Sequence, residues 1–553
     1  MRILPENLQQ IQTNQLEELE GWFSERLYEQ MLKRNRGHVL VQLQQLLGWE
    51  AIEQACRGFY HQTGPGAKPR HQVGQLVRAI LVKALYNWSL RETQERVSND
   101  LVVKWFVGYG VMESVMDYSL LCRFEQWLQK HQPRLLFDTV LNEIERSFPE
   151  EQRAVQIGDT FAMEANAAGE SWVELLRHLC RKFLRELVQL SPELHQQIQQ
   201  QIPVEELFGV QPEKAPYFLT DDEIQSRLTH CVRGALQLEK TVQVHIAPQQ
   251  LETQPGMTTL LADVRQVIGN NLVVARDEHG QVHQVSVLPE KERGHFQMTT
   301  ATDREATVRH HGRKLTLGFN IHLASTPAGF IREIFSATGA QPDSVGIPHL
   351  IANQIRQRQH CPPKLIYDRA ASAGHTRAQV ERVSQGRTQL VAHLTPTTTG
   401  ERFGPEQFTL SDDQRALTCP AQQTSTTHYE AADRYGRVFV FKANQHCLNC
   451  PCWNQCRAPN AKPTGQRMVF ISDYRAQICQ AQHYNQSDTF AQEMKLRPLV
   501  ERVIFMLTHF DGARRAKGYG IPRADFQVKL AATARNIRTW LKRRAVLPIA
   551  PLA

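Results

Sequence analysis

Three carboxylates occupy positions from which they could act together. They are Asp159 in "AVQIGDTFAMEANA" (154–167), Asp368 in "PPKLIYDRAAS" and Glu501 in "LRPLVERVIFMLTHFDG". Ahead of Asp159, Val155 and Ile157 alternate with smaller or polar residues, the period-2 pattern of a half-buried strand. A short apolar strand likewise runs into Asp368. An ionised carboxylate at a strand end is costly to desolvate unless something compensates it. Three that converge are unstable unless they share cations. Two Mg²⁺, or Mn²⁺, about 4 Å apart would neutralise them and clamp the attacking and leaving oxygens of a phosphodiester. By spacing alone, each carboxylate equally suits a plain strand end or helix face.

The cysteines suggest a second site. Of eleven, Cys56, Cys122, Cys180, Cys231 and Cys361 stand alone, whereas Cys419, Cys447, Cys450, Cys452, Cys456 and Cys479 cluster. An odd total with such clustering argues for a metal site in a reducing compartment rather than a disulfide framework. Cys447 and Cys450 form a CxxC knuckle, Cys456 follows six on, and Cys419 lies upstream across "GRVFVFKANQ". Four thiolates so placed can make a closed, structural tetrahedral Zn²⁺ site, with Cys452 or His446 as substitutes. The bland reading is reduced cysteines in a small core.

The third signal is charge. The formal net charge is +8, and from Gly512 to Ala545 ten Lys/Arg face a single acid, Asp525. Tyr519, Phe526 and Trp540 are interleaved, as in phosphate-contacting segments. A solvated helical face is the alternative. Arg514, Arg515, Lys517, Lys542, Arg543 and Arg544 flank "DFQVKLAATARNIRTWL", where Phe526, Leu530, Ala534 and Ile537 keep helical spacing. One face should dock on the core while the other stays cationic.

These residues must be held by folded elements, and 553 residues suffice for two to four domains. Hydrophobic content is 41% and charged content 22%, ordinary for a globular chain. No run of 18 apolar residues exists, so no membrane span is expected. The start, "MRILPENLQQIQTNQLEELE", lacks the apolar stretch of a signal peptide, and an intracellular protein is expected.

Residues 1–150 read as helices: Val77, Ile80, Leu81 and Ala84 share a face, and Ser89 with Glu92 forms a capping box. "SWVELLRHLCRKFLRELVQL" is strongly amphipathic. "HGRKLTLGFNIHLAST" and "AGFIREIFSATG" read as an antiparallel strand pair, "VGIPHLIANQIRQRQ" and "TRAQVERVSQG" as helices, and "TQLVAHL" as a strand. Pro498 suits the first turn of a late helix and Gly512 its end.

Taken in order, several of these segments resemble the DDE transposases of bacterial insertion sequences, in the group with an InsH-like helical N-terminal domain. "LVRAILVKALYNWSLRETQERVSNDLVVKWFVGYG" and "MDYSLLCRFEQWL" are similar to that domain. "IGDTFAMEANA" resembles the segment of the first catalytic aspartate, here Asp159, and "KLIYDRAASAGH" that of the second, here Asp368. "LRPLVERVIFMLTHFDGARRAKGYG" resembles the terminal segment, where Arg497 precedes Glu501 by four positions. Two departures stand out. Arg369 and Ala370 follow Asp368 where the family has Gly-Tyr, and Thr508, beside His509, replaces a cation seven positions after Glu501. Asp343 is the next candidate should the register at Asp368 be wrong.

The resemblance implies an α/β fold with an RNase H-like core, a mixed five-stranded sheet with flanking helices interrupted by two insertions. The expected division is a helical DNA-binding or dimerisation domain (1–150), a first core segment (151–170), a mainly helical insertion (171–309), a second core segment (310–395), a Cys-rich insertion (396–483), a core helix (484–512) and a basic tail (513–553). The expected activity is metal-dependent cleavage of double-stranded transposon ends and 3′-OH strand transfer into target DNA. Asp159, Asp368 and Glu501 would hold the metals, while Arg497, Arg514, Arg515 and Lys517 would grip DNA. A homodimer at synapsis and a bacterial cytoplasmic, nucleoid-associated location are implied. Two alternatives are a DNA-binding protein that has lost catalysis and an RNase H-fold nuclease without strand transfer.

Overall fold

Strand alternation around Asp159 becomes the centre of a mixed sheet in the computed structural model of the chain. The structure describes residues 6–60, 69–209, 219–293, 298–311, 314–395, 402–431, 434–447, 449–458, 460–462 and 465–546. The sheet strands are β1 (Gln156–Glu164), β2 (Thr307–His311), β3 (Lys314–Ser325), β4 (Ile331–Thr338), β5 (Lys364–Ile366) and β6 (Gln389–Val391). β3 runs antiparallel to β1, from Ile157↔Ser325 to Glu164↔Gly318, and β4 runs antiparallel to the second half of β3. β5 is parallel to β1 through Gln156↔Leu365 and Ile157↔Ile366, and β6 is parallel to β5. β2 pairs with the first half of β3, so the sheet has six strands rather than the expected five. That pairing also draws residues 307–309 out of the expected first insertion into the sheet.

Six helices frame the sheet: α1 (Val73–Tyr86), α2 (Leu135–Ser147), α3 (Asp343–Arg358), α4 (Gly374–Ser384), α5 (Pro498–His509) and α6 (Ile521–Val546). Pro498 opens α5, where its missing N–H costs nothing. At the expected capping box, Ser89 Oγ accepts from the Glu92 N–H at 3.1 Å. The helical pattern that follows breaks at Asp100, whose side chain caps a new helix, Leu101–Val107.

The N-terminal helices do not form a core of their own. Leu76, Ile80, Phe124, Leu141 and Ile144 pack in one apolar cluster with Ile157 and Met163 of β1, Phe319 and Ile321 of β3, and the buried face of α6. Ion pairs reinforce the join. Arg134 Nη1 reaches the buried Glu333 at 2.9 Å, and Glu145 of α2 takes Arg332 of β4 and Arg358 of α3. Burial alone would push the Glu145 carboxyl up. Hydrogen bonds from His360 and Arg358, with the charge of Arg332, hold it well below the usual carboxylate range.

Both expected insertions have cores of their own. The first combines helices Trp172–Leu190, Asp221–His245 and Pro255–Asn271 with a hairpin, Leu272–Arg276 and Val282–Val287. The second holds two three-stranded sheets around Phe408, Leu417, Phe439, Phe441, Val469 and Ile471. Its expected start at 396, the first five residues of the chain and the last seven lie outside the described residues. Within the expected basic tail, residues 513–520 are irregular and the 26-residue helix α6 follows, packed on β4, α1 and α2 with Phe526, Ile537 and Trp540 buried. No described helix is long and apolar enough to cross a membrane.

Candidate active site

Two strand positions bring the aspartates level. The last rung of the parallel β1–β5 ladder is Ile157↔Ile366. Asp159 and Asp368 each lie two residues beyond it, side by side where the ladder ends. Asp159 is therefore not at a strand end, as its sequence pattern predicts, but is the fourth of nine residues in β1, which continues along β3. Asp368 caps the short turn Arg369–Ala371, its Oδ1 accepting from the Ala370 N–H at 2.9 Å. Gly158 makes room for this arrangement. A Cβ there would stand 2.6 Å from the Tyr367 ring, so only glycine lets that buried tyrosine slide beneath β1.

Glu501 arrives from α5, which packs on β1 through Val500, Val503 and Leu507. Its carboxylate is 61% exposed, against 14% for Asp159, so the two differ sharply in solvation. Arg497, one turn earlier, joins them. Its Nη2 donates to Asp159 Oδ2 at 2.9 Å, and its Nη1 pairs with Glu501. The guanidinium expected to hold DNA thus lies between two expected metal ligands.

Burial pushes the Asp159 carboxyl up to about 6. The Arg497 charge and the Thr160 N–H oppose this, while Asp368 and Asp343 reinforce it. Asp343, the fallback candidate, is already engaged at the start of α3. Its Oδ1 accepts from Asn320 Nδ2 at 2.7 Å and its Oδ2 pairs with Arg309 at 3.5 Å. Arg309 also donates to Thr160 Oγ1 at 2.7 Å. Arg309 and Asn320 are invisible to spacing arguments because they act from neighbouring strands, and Tyr367, just past β5, gives no sign in the sequence that its ring lies against Gly158. The Tyr367 hydroxyl is buried without a hydrogen-bond partner, and burial with the charges of Asp159, Asp343 and Asp368 pushes its pKa well above normal.

Among the described residues, no set of three or more His, Cys, Asp or Glu is arranged to hold a metal ion. The donor chemistry nevertheless fits a hard divalent cation. Asp159, Asp368 and Glu501 offer only oxygen, and a guanidinium already serves as the cation shared by two of them. Thr508, in the place of a basic residue, spends its hydroxyl on the Ile504 carbonyl of its own helix at 2.9 Å.

Of the expected DNA-binding cations near α6, Arg514 and Arg515 are exposed, and their backbone runs alongside the end of β1. Lys517 Nζ is tied to Asn87 Oδ1 at 2.7 Å. Along α6, Arg535 and Arg538 pair with the buried Asp511, and Arg543 pairs with Glu150 and Glu151. Much of the expected cationic face is thus internally neutralised, while Lys542 and Arg544 are exposed.

The expected zinc ligands meet around one cavity, lined by Cys419, Cys447, Cys450, Cys452 and Cys456 together with His446. All five cysteines are free thiols. Cys419 Sγ accepts from the Gln423 N–H at 3.4 Å. Burial first, and the nearness of Cys447 and Cys419 after it, push the Cys456 thiol up. The thiols are brought together without being closed into a coordination shell.

Residues 26–127 match a family described as a transposase domain, and residues 418–541 match one described as a transposase DDE domain. The second region contains the clustered cysteines, and also Arg497, Glu501 and most of α6. Asp159 and Asp368 lie outside both matched regions. No curated protein and no solved structure matches the chain.

Proposed function

The chain belongs to the insertion-sequence DDE transposases, and on that premise we propose that it cuts double-stranded DNA at transposon ends and joins the freed 3′-OH to target DNA. DDE transposases as a class use divalent metal ions. The observation that carries the reading is the placement of Asp159 and Asp368 two residues past the last parallel rung, with Arg497 tying Glu501 to the same point. The strand order β4-β3-β1-β5-β6, antiparallel on one side of β1 and parallel on the other, supports an RNase H-like core.

Asp159, Asp368 and Glu501 would hold two Mg²⁺ or Mn²⁺, which supply charge neutralisation at phosphorus and activation of the attacking oxygen. The buried floor of Gly158 and Tyr367 limits water beneath the aspartates and fixes their spacing. Arg497 can pass its Asp159 and Glu501 contacts to cations and donate instead to a phosphate oxygen. In the first step a water oxygen bonds to phosphorus, the P–O3′ bond breaks, and the 3′ oxygen leaves as a hydroxyl. In the second, that hydroxyl displaces a 3′ oxygen of target DNA. Each is an in-line exchange of one P–O bond for another, with no covalent enzyme intermediate. Bringing two ends together calls for at least a homodimer, in the cytoplasm where bacterial DNA lies.

Asp159→Asn, Asp368→Asn and Glu501→Gln should each abolish cleavage of duplex end DNA in Mg²⁺ while end binding stays near normal. Near-normal cleavage by Asp368→Asn would refute this site. A wild-type protein that binds the ends but never cuts them would favour the DNA-binding alternative, which Thr508 in place of a cation favours. Cutting without joining would favour the nuclease.

A structural zinc held by Cys419, Cys447, Cys450 and Cys456 belongs to the same proposal, supported by their convergence on one cavity. About one zinc per chain should be found by elemental analysis of purified protein. A metal-free preparation that is folded and active would remove the zinc.

A further inference from the structure

Beside the three carboxylates assigned to metal stands a fourth, Asp343, which the proposed chemistry leaves without a task. It opens α3, where a negative charge suits the helix N-terminus, and its side chain turns to the sheet. Asn320 of β3, opposite Ala162 of β1, donates to its Oδ1 at 2.7 Å. Arg309 approaches its Oδ2 only at 3.5 Å, the outer limit of a hydrogen bond, while donating to Thr160 Oγ1 at 2.7 Å. One oxygen of Asp343 is thus anchored and the other loosely held. The side chain is 29% exposed, against 14% for Asp159, so the loose oxygen keeps room for a further partner.

Asp343 belongs to the same site as the other aspartates. Its charge reaches both Asp159 and the Tyr367 hydroxyl. Ser344, next to Asp343, and Ser372, at the end of the turn that Asp368 caps, line one open groove, so water reaches the two aspartates from one side. Tyr367 is 1% exposed, and its hydroxyl faces Asp159, Asp343 and Asp368 with no partner of its own. A buried hydroxyl left unpaired is costly, so this place is complete only with a polar guest among the carboxylates. Asp159, Asp368 and Glu501 are assigned to cations and Arg497 to phosphate, and Thr160 already accepts from Arg309. The loose oxygen of Asp343 is the acceptor that remains.

The two chemical steps differ in what holds the nucleophile. In joining, the DNA chain itself fixes the attacking 3′-OH. In cleavage the nucleophile is a free water, and a misaimed nucleophile costs large factors in rate. We propose that Asp343 is a further catalytic residue, whose loosely held oxygen accepts a hydrogen bond from the attacking water and aims it at phosphorus. The water oxygen bonds to phosphorus and the P–O3′ bond breaks. One water proton passes to solvent, and the departing 3′ oxygen takes one up from solvent. Asp343 stays ionised and serves hydrolysis rather than joining. The proposal rests on the transposase reading and deepens it, by giving the first step a residue that the second does not need.

The test gives the full-length protein two DNAs, an intact duplex end and the same end already cut, with its 3′-OH free to join target. Asp343→Asn puts an amide where the loose acceptor stood. It should slow cleavage by about 100-fold and leave joining of the pre-cut end within about threefold of wild type. Asp159→Asn should lose both. Mg²⁺ should raise the melting point of Asp343→Asn as it does that of wild type, because the cation ligands are untouched. Equal loss of cleavage and joining, unchanged cleavage, or loss of the Mg²⁺ shift each overturns the proposal. If Asp343→Asn does not fold, Asp343→Glu keeps the charge beside Arg309 and displaces the oxygens by a methylene. It should show the same bias toward joining, and equal loss of both steps there overturns the proposal too. Failure of this proposal alone leaves a wild type that cuts and joins. A wild type that does neither refutes the catalytic reading and this role with it. Where wild type cuts without joining, the cleavage rate and the Mg²⁺ shift of Asp343→Asn decide.

Discussion

Asp159 is a buried carboxyl held against its ordinary ionisation. Its folded-state pKa, about 6, lies above the ordinary 3.8, because burial disfavours its charge more than Arg497 compensates it. A carboxyl raised in this way favours folding only while protonated. Its contribution is fully present below pH ~4 and is lost as pH rises through about 6, a swing of roughly 3 kcal/mol. Asp159→Asn removes the charge and should melt above wild type at pH 8, with the gap closing toward pH 4. Mg²⁺ at pH 8 should raise the melting point of wild type but not of the variant. A gap independent of pH would show that another group carries the tension. Sequence alone identified Asp159 and Asp368 as a pair of interest. The arginine between Asp159 and Glu501 could not be foreseen, because a four-residue spacing places Arg497 one helical turn from Glu501 without saying what lies opposite.

At the scale of the element, the segment that leads into α6 and α6 itself separate cations committed to ion pairs from exposed ones. Ten basic residues between Gly512 and Ala545 look alike in the sequence. Folding commits Arg535 and Arg538 to the buried Asp511, Arg543 to two glutamates and Lys529 to Asp525. Arg514 and Arg515 remain exposed. Replacing both by Ala should flatten the slope of log K for duplex DNA against log salt by about 1.8, since each phosphate contact contributes about 0.9. Adding Lys517→Ala should change the slope less, because that ammonium is held by Asn87. Arg535→Ala should leave the slope alone and cost about 2 kcal/mol of stability through loss of a charge-assisted contact to Asp511. Equal slope changes for Arg535→Ala and the double variant would mean that the ion pairs open on DNA.

At the scale of the molecule, the division of the core sets what can fold alone. The N-terminal helices share one apolar cluster with β1, β3 and α6, so a fragment of residues 1–150 would expose the side that the sheet and α6 cover. That fragment should show no cooperative thermal transition. Residues 171–302 bury Leu175, Leu179, Phe183, Val232, Val264 and Val285 among themselves and should unfold cooperatively when expressed alone. Cooperative melting of the 1–150 fragment, or none in 171–302, would contradict this division. The same organisation sets the core of residues 171–302 apart from one apolar cluster that joins the N-terminal helices to α6, segments far apart in the chain.

Local patterns were enough for most elements: alternation for β1, β3 and β4, Ser89 and Pro498 at helix starts, and the apolar spacing of Phe526, Leu530, Ala534 and Ile537 on the docked face of α6. Those features arise from contacts within a few residues, or from one buried face, and both leave a periodic trace. Pairing across the chain leaves none. Which cations are neutralised, which strand supplies Arg309 to the floor of the site, and why position 158 must be glycine depend on residues dozens to hundreds apart. Only tertiary structure decides these, because charge and contact energies depend on distance and solvation, which spacing along the chain does not set.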